Sequence, residues 1–206
     1  MKLHSFCIKI ALVLTPFCAQ AQGMFVYDQQ SGDESWFGSG LPGAGLSIMG
    51  QSFTPTLSSV GFIRLYIIGG ETGSAESGSI VLNLRTSSIT GPILDSTTPV
   101  TLPGGFSGTV NFFFSTPVPL TPGNTYYFQP DMSGYASWEA RGFTASDANN
   151  YPGGTGFLGG TAYPNIDLWF REGIVVPEPS SALLFLAGGV FLIYVRRARH
   201  RPVGNQ

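Results

Sequence analysis

Between residues 22 and 175 the side chains able to do chemistry are mostly carboxylates: Asp28, Asp33, Glu34, Glu71, Glu76, Asp95, Asp131, Glu139, Asp147, Asp167 and Glu172. Both cysteines, Cys7 and Cys18, and both histidines, His4 and His200, fall outside this stretch. Ser-His-Asp hydrolysis, Cys-His catalysis, histidine-ligated zinc and thiolate metal sites all need residues that it lacks. Two kinds of carboxylate chemistry survive, glycoside hydrolysis by a pair of acids and the holding of calcium by clustered oxygens. For hydrolysis the candidates are Glu71, Glu76 and Glu139, but Glu71 and Glu76 sit in a Gly/Ser-rich segment with nothing to raise a pKa. Scattered surface acids are the simpler account, and a carboxylate-only glycosidase is the remotest of the functions considered. For calcium, Asp28 with Asp33 near the first strand, or Asp147 with Asn149 and Asn150, supply oxygens. Neither group has the Asp-x-Asp-x-Asp-Gly pattern, and Asx turns explain Asp147 to Asn150 equally well. The expectation is no catalytic residue, no cofactor and no resident metal, with Asp28, Asp33 and Asp147 as weak calcium candidates.

Aromatic side chains are the other resource, because a sugar ring offers apolar C–H faces to stack on Trp or Tyr and hydroxyls for polar groups beside them. Trp36 lies with Phe37 in a turn-rich segment, Tyr135 and Trp138 flank Glu139 and Arg141, and Trp169 faces opposite to Leu168. Trp36, Tyr135 and Trp138 are therefore the candidate sugar-stacking residues. The competing account is that these rings pack over sheet edges or sandwich ends, as large aromatics usually do.

The elements that would position these residues read as strands. Ile63, Leu65 and Ile67 alternate with Phe62, Arg64 and Tyr66, and Ile80, Leu82 and Leu84 alternate with Val81, Asn83 and Arg85. Val110, Phe112 and Phe114 repeat the pattern, as do Tyr126 with Phe128, and Ile166, Leu168 and Phe170 around Asp167 and Trp169. A period of two predicts half-buried strands with one face in a core and one face wet. Gly- and Pro-rich turns separate the runs, and no amphipathic helical pattern of useful length interrupts them. Segments 29–50 and 144–165, rich in Gly, Ser, Asn and Pro, read as long loops, which tend to carry function. The expectation is an all-β domain over 22–175, an antiparallel two-sheet sandwich of jelly-roll type. It has the size of one domain and can build a core without disulfides. Four arginines against eleven acids give it a net charge of −7, which argues against nucleic acid as a partner.

The two ends read as addresses. Residues 1–21 have the form of a signal peptide: Lys2 and Lys9, an apolar stretch from Ile10 to Leu14 with Phe17, and Ala19-Gln20-Ala21 as the cleavage site. At the other end Val176-Pro177-Glu178-Pro179 forbids a helix from running in from upstream. An apolar run over 180–195 follows, and then the basic residues Arg196, Arg197, Arg199 and Arg201. Sixteen residues of helix span about 24 Å, short for a hydrocarbon core of about 30 Å but able to cross with snorkelling arginines. Positive flanks stay in the cytoplasm, so the expected orientation leaves the 22–175 domain outside it, held to the membrane by one transmembrane helix.

A motif at 176–179, a helix at 180–195 and a basic tail at 196–201, in that order, resemble the PEP-CTERM sorting signal of Gram-negative bacteria. The resemblance implies export, residence in the inner membrane, cleavage by an exosortase-type membrane protease and release to the cell surface or beyond. It also implies an association with extracellular polysaccharide and biofilm matrix. Within the domain, Gln51-Ser52-Phe53-Thr54-Pro55, the strand at 60–68 and the run Leu120 to Phe128 resemble exported galactose-binding-like sandwiches. The function expected is a non-enzymatic structural or adhesive protein of the envelope or matrix, with a carbohydrate-binding module as the alternative.

Overall fold

The computed structural model describes residues 23–42, 48–69, 77–131, 138–143, 151–177 and 188–189. The chain divides into two units, Met24–Val176 and the remaining terminal residues. The Met24–Val176 unit is all-β, built from two antiparallel sheets of seven strands each.

The first sheet runs β1 (Met24–Gln30), β14 (Phe170–Val176), β4 (Ser59–Gly69), β10 (Trp138–Phe143) and β13 (Asp167–Leu168), with β2 (Ser39–Pro42) on β10 and β8 (Ser107–Pro119) on β4. The second runs β12 (Thr161–Tyr163), β11 (Gly156–Leu158), β3 (Met49–Phe53), β9 (Tyr126–Asp131), β5 (Gly78–Thr86) and β6 (Ile93–Ser96), with β7 (Val100–Leu102) on β5. Alternation fixes which side of each strand is buried. Ile63, Leu65 and Ile67 from β4 meet Ile80, Leu82 and Leu84 from β5, together with Phe112, Phe53, Phe128 and Phe170, in one core between the sheets. First and last strands are neighbours, with Met24 opposite Val176, so both ends of the unit leave from the same edge.

Three sequence expectations are corrected. The 29–50 segment is not one loop, because β1 continues to Gln30 and β2 and β3 occupy its later part. In 144–165 the strands β11 and β12 form a hairpin whose connection, Gly159-Gly160, has φ of +59° and +77°. Two residues in the left-handed region give the turn whose twist matches a tight hairpin, and glycine adopts it without a Cβ clash. The run 166–170 is not a single strand with a wet face. It breaks at Trp169 into β13 and β14, and both Asp167 and Trp169 are buried. What covers Trp169 comes from far away in the chain: its Nε1 donates to the Asp33 carbonyl at 2.9 Å and its ring meets Phe37 at 5.0 Å.

Candidate functional site

Three groups of side chains stand out: on the outer face of the first sheet, inside the sandwich, and on the outer face of the second sheet.

On the outer face of the first sheet, β4 presents Phe62, Arg64 and Tyr66. Phe25 and Tyr27 from β1 and Phe113 from β8 close over Phe62, whose ring meets Phe25 edge-on at 4.9 Å. The Arg64 guanidinium lies over Phe25 and Tyr27, and that of Arg171 lies 4.2 Å from the Tyr27 centroid. Both arginines bond Glu34, Arg171 at 3.1 Å. Segment 31–38 drapes across the far half of the face, placing Trp36 against Phe143 and Phe37 against Tyr66 and Trp169. Asp33 holds a turn in this segment by accepting from the Ser35 N–H at 2.8 Å and from its hydroxyl. Those two bonds hold its carboxyl below the usual range. The face is thus a small second core, with its cations stacked on rings and paired.

The candidate sugar-stacking residues do not meet on one face. Trp36 is 44% exposed and rests on the outer side through Phe143. Trp138 shares the inner side of β10 with Ala140 and packs against the main core. Tyr135 lies outside the described residues, as do Glu71, Glu76 and Asp147. Of the calcium candidates that are described, Asp33 is committed to Ser35, and Asp28 accepts from the Thr56 N–H at 2.7 Å, the Leu57 N–H at 2.8 Å, the Thr56 hydroxyl and the Gln29 amide. Burial alone would raise the Asp28 pKa, but these bonds together outweigh it and lower it. No group of three or more metal-ligating acids, histidines or cysteines occurs among the described residues.

Inside the sandwich runs a seam of polar groups that sequence reasoning missed. Gln51 of β3 donates to Asp167 at 2.7 Å and accepts from the Leu168 N–H at 3.0 Å, which ties the second sheet to the first. Asp167 also accepts from the Tyr151 N–H at 2.8 Å, and the Tyr151 hydroxyl donates to Gln29 at 2.8 Å. Burial raises the Asp167 pKa against the pull of the Gln51 and Tyr151 bonds. Burial, with the nearby Asp28 and Asp167 charges and that of Glu172 once it ionises, pushes the Tyr151 hydroxyl up to about 12 despite its bond from Thr54, so it stays a donor. At the end of the seam is Glu172, fully buried with neither carboxyl oxygen hydrogen-bonded. A rule available in the sequence would have found it: Phe170 faces the core, and a residue two further along a strand shares that face. These acids are sealed from solvent, so they offer a glycan no cleft.

The outer face of the second sheet is different in kind. Tyr126, Phe128, Leu82 and Leu84 point into the core, which turns Tyr127, Gln129, Asn83 and Arg85 outward. Arg85 stands opposite Tyr127 and Asn83 opposite Gln129. Arg85 donates to Gln129 at 2.8 Å and to the Gly91 carbonyl at 2.6 Å, and Ser96 donates to Asn83 at 2.7 Å. Phe157 from β11 meets the Tyr127 ring edge-on at 5.7 Å. Two half-buried rings thus lie beside a row of amides and a guanidinium with fixed orientations.

Val176 closes β14 and Pro177 follows it, whereas Glu178, Pro179, Arg196, Arg197, Arg199 and Arg201 lie outside the described residues, as does residues 1–21. Within 180–195 only Gly188 and Gly189 are described, both helical, and among the described residues no helix is long and apolar enough to cross a membrane. No protein-family model matches the chain, and no curated protein matches it.

Proposed function

We propose that this chain is an exported, non-enzymatic protein of the cell envelope or extracellular matrix, a jelly-roll sandwich carried out by a signal peptide at 1–21. In this reading it is held in the inner membrane by a helix over 180–195 and handed to an exosortase-type protease at Val176-Pro177-Glu178-Pro179. The observation that supports it is where the folded unit stops. Its limits, Met24 and Val176, lie within three residues of the expected signal cleavage after Ala21 and at the first residue of the sorting motif. Among the described residues, cutting at both places spares the strands from β1 to β14 and the core residues they carry. Pro177, the residue directly after β14, cannot donate to a ladder and disfavours helix in the residue before it. Fractionation tests the reading: the protein should reach the envelope or medium, and deletion of 176–201 should change where it accumulates. An unchanged distribution between cell fractions would count against it.

A second reading, a carbohydrate-binding module, draws on the outer face of the second sheet. Tyr127 and Phe157 offer apolar ring surface, while Arg85 and Gln129 offer oriented polar groups suited to sugar hydroxyls. Glycan-array binding and retention by the producing cell's own exopolysaccharide test it, and no binding to either removes it.

A further inference from the structure

Glu172 has no part in any surface just described. Strand alternation places it on the core side of β14 with Phe170, between Gln29 of β1 and Ile63 of β4. The groups that face it are Asp28 from β1 and Tyr151 from the segment before β11, with Asp167 of β13 beyond Tyr151. Arg171 of its own strand and Arg64 of β4 stand on the opposite face, bound to Glu34. The Gln29 N–H lies against the carboxyl without reaching full hydrogen-bonding geometry. A carboxylate buried with neither donor nor cation is far less stable than its neutral acid. The neutral acid has an O–H that needs an acceptor. Asp28 is the neighbouring carboxylate that can accept it, held as an anion by Thr56, Leu57 and Gln29 on its other sides.

We propose that Glu172 carries a proton in the folded protein and donates it to the Asp28 carboxylate, a hydrogen bond that clasps the first strand to the last. Backbone geometry is arranged for it. The register jumps from Tyr27 opposite Gly173 to Gln29 opposite Glu172, so Asp28 is the extra residue of a β-bulge, a device that re-aims a side chain. Gly173 makes room for the bulge, since a Cβ there would stand 1.9 Å from the Val26 carbonyl oxygen. The clasp therefore sits on the strand that leads directly to Pro177.

Its dependence on pH has a definite sign. Burial, helped by the Asp28 charge, pushes the Glu172 carboxyl up to about 9 from an ordinary 4.5. In the unfolded chain the proton leaves near 4.5, while the folded protein keeps it to about 9. Between those values the folded state binds more protons, so the stability Glu172 contributes is complete below 4.5, falls as pH rises and is lost by about 9. Asp28 works in the opposite sense: its contribution is present above its ordinary 3.8 and lost as pH falls below. Mildly acidic conditions thus favour the clasp most.

The test is a carbon-13 titration of the full chain labelled at glutamate side-chain carboxyls, alongside melting curves of wild type and Glu172→Gln. One glutamate carboxyl should remain neutral at about pH 7 and titrate near 9, and Glu172→Gln should lack that signal. Glutamine keeps an N–H where the acid has its O–H, so the variant should melt close to wild type at about pH 5 and increasingly above it toward about pH 9. Chelator should leave the wild-type melting temperature unchanged. Glutamate carboxyls that are all ionised at about pH 7, or a melting temperature that chelator lowers, would place an anion or a cation at the site and overturn the proposal. Should Glu172→Gln fail to fold, the wild-type titration decides alone.

Discussion

The two outer faces of this sandwich carry the same kinds of residue to opposite ends. Each has aromatic rings and arginine beside polar side chains. On the first sheet the chain comes back over them: segment 31–38 covers Trp169, and Glu34 takes both Arg64 and Arg171. On the second sheet no described segment repeats that cover over Tyr127 and Phe157, which are half-buried and, among the described residues, have their ring contact with each other. An aromatic on a strand is thus not evidence of binding by itself. Whether the rest of the chain folds over it decides between a second core and a surface.

The largest effect that could break this contrast is Trp169→Ala. If the first face is a core, the variant loses about 3–5 kcal/mol, as aromatic truncations in cores do, and denaturant unfolding measures it. A loss under about 1 kcal/mol would mean that the cover is superficial. Next is Glu34→Ala, which removes the shared partner of two stacked arginines. The pair network is half-exposed at Glu34, so the expected loss is about 1 kcal/mol or less and should shrink in high salt. The smallest effect on stability belongs to Tyr127→Ala, about 0.5 kcal/mol or less if the ring is a contact surface. That variant should nonetheless lose retention by any glycan the wild type binds, while Trp36→Ala keeps it. The reverse pattern would move the sugar site to the first face.

Much of this architecture is legible in sequence, for a plain reason. Residues that alternate within one strand need no distant partner to be read, and so β4, β5, β8 and β9 follow from Ile63, Ile80, Val110 and Tyr126 onward. The Gly159-Gly160 hairpin escaped the sequence, because two glycines between short runs are a turn signal only where the segment around them is not itself Gly-rich. The buried state of Trp169 was not legible, because its cover at Asp33 is 136 residues away. Gln51 and Tyr151 are equally opaque: polar residues on a core face look like errors until their partners across the sheets are known. Asp28 is ambiguous for a related reason, since a bulge shifts the register that alternation relies on.

Intact-mass spectrometry of native material measures the limits of the mature protein directly. A chain that starts near Gln22 and ends near Val176-Pro177-Glu178-Pro179, recovered from the envelope or medium, is the predicted result. A chain that retains residues 1–21 and the Arg196 to Arg201 tail and is recovered from the cytoplasm would contradict it.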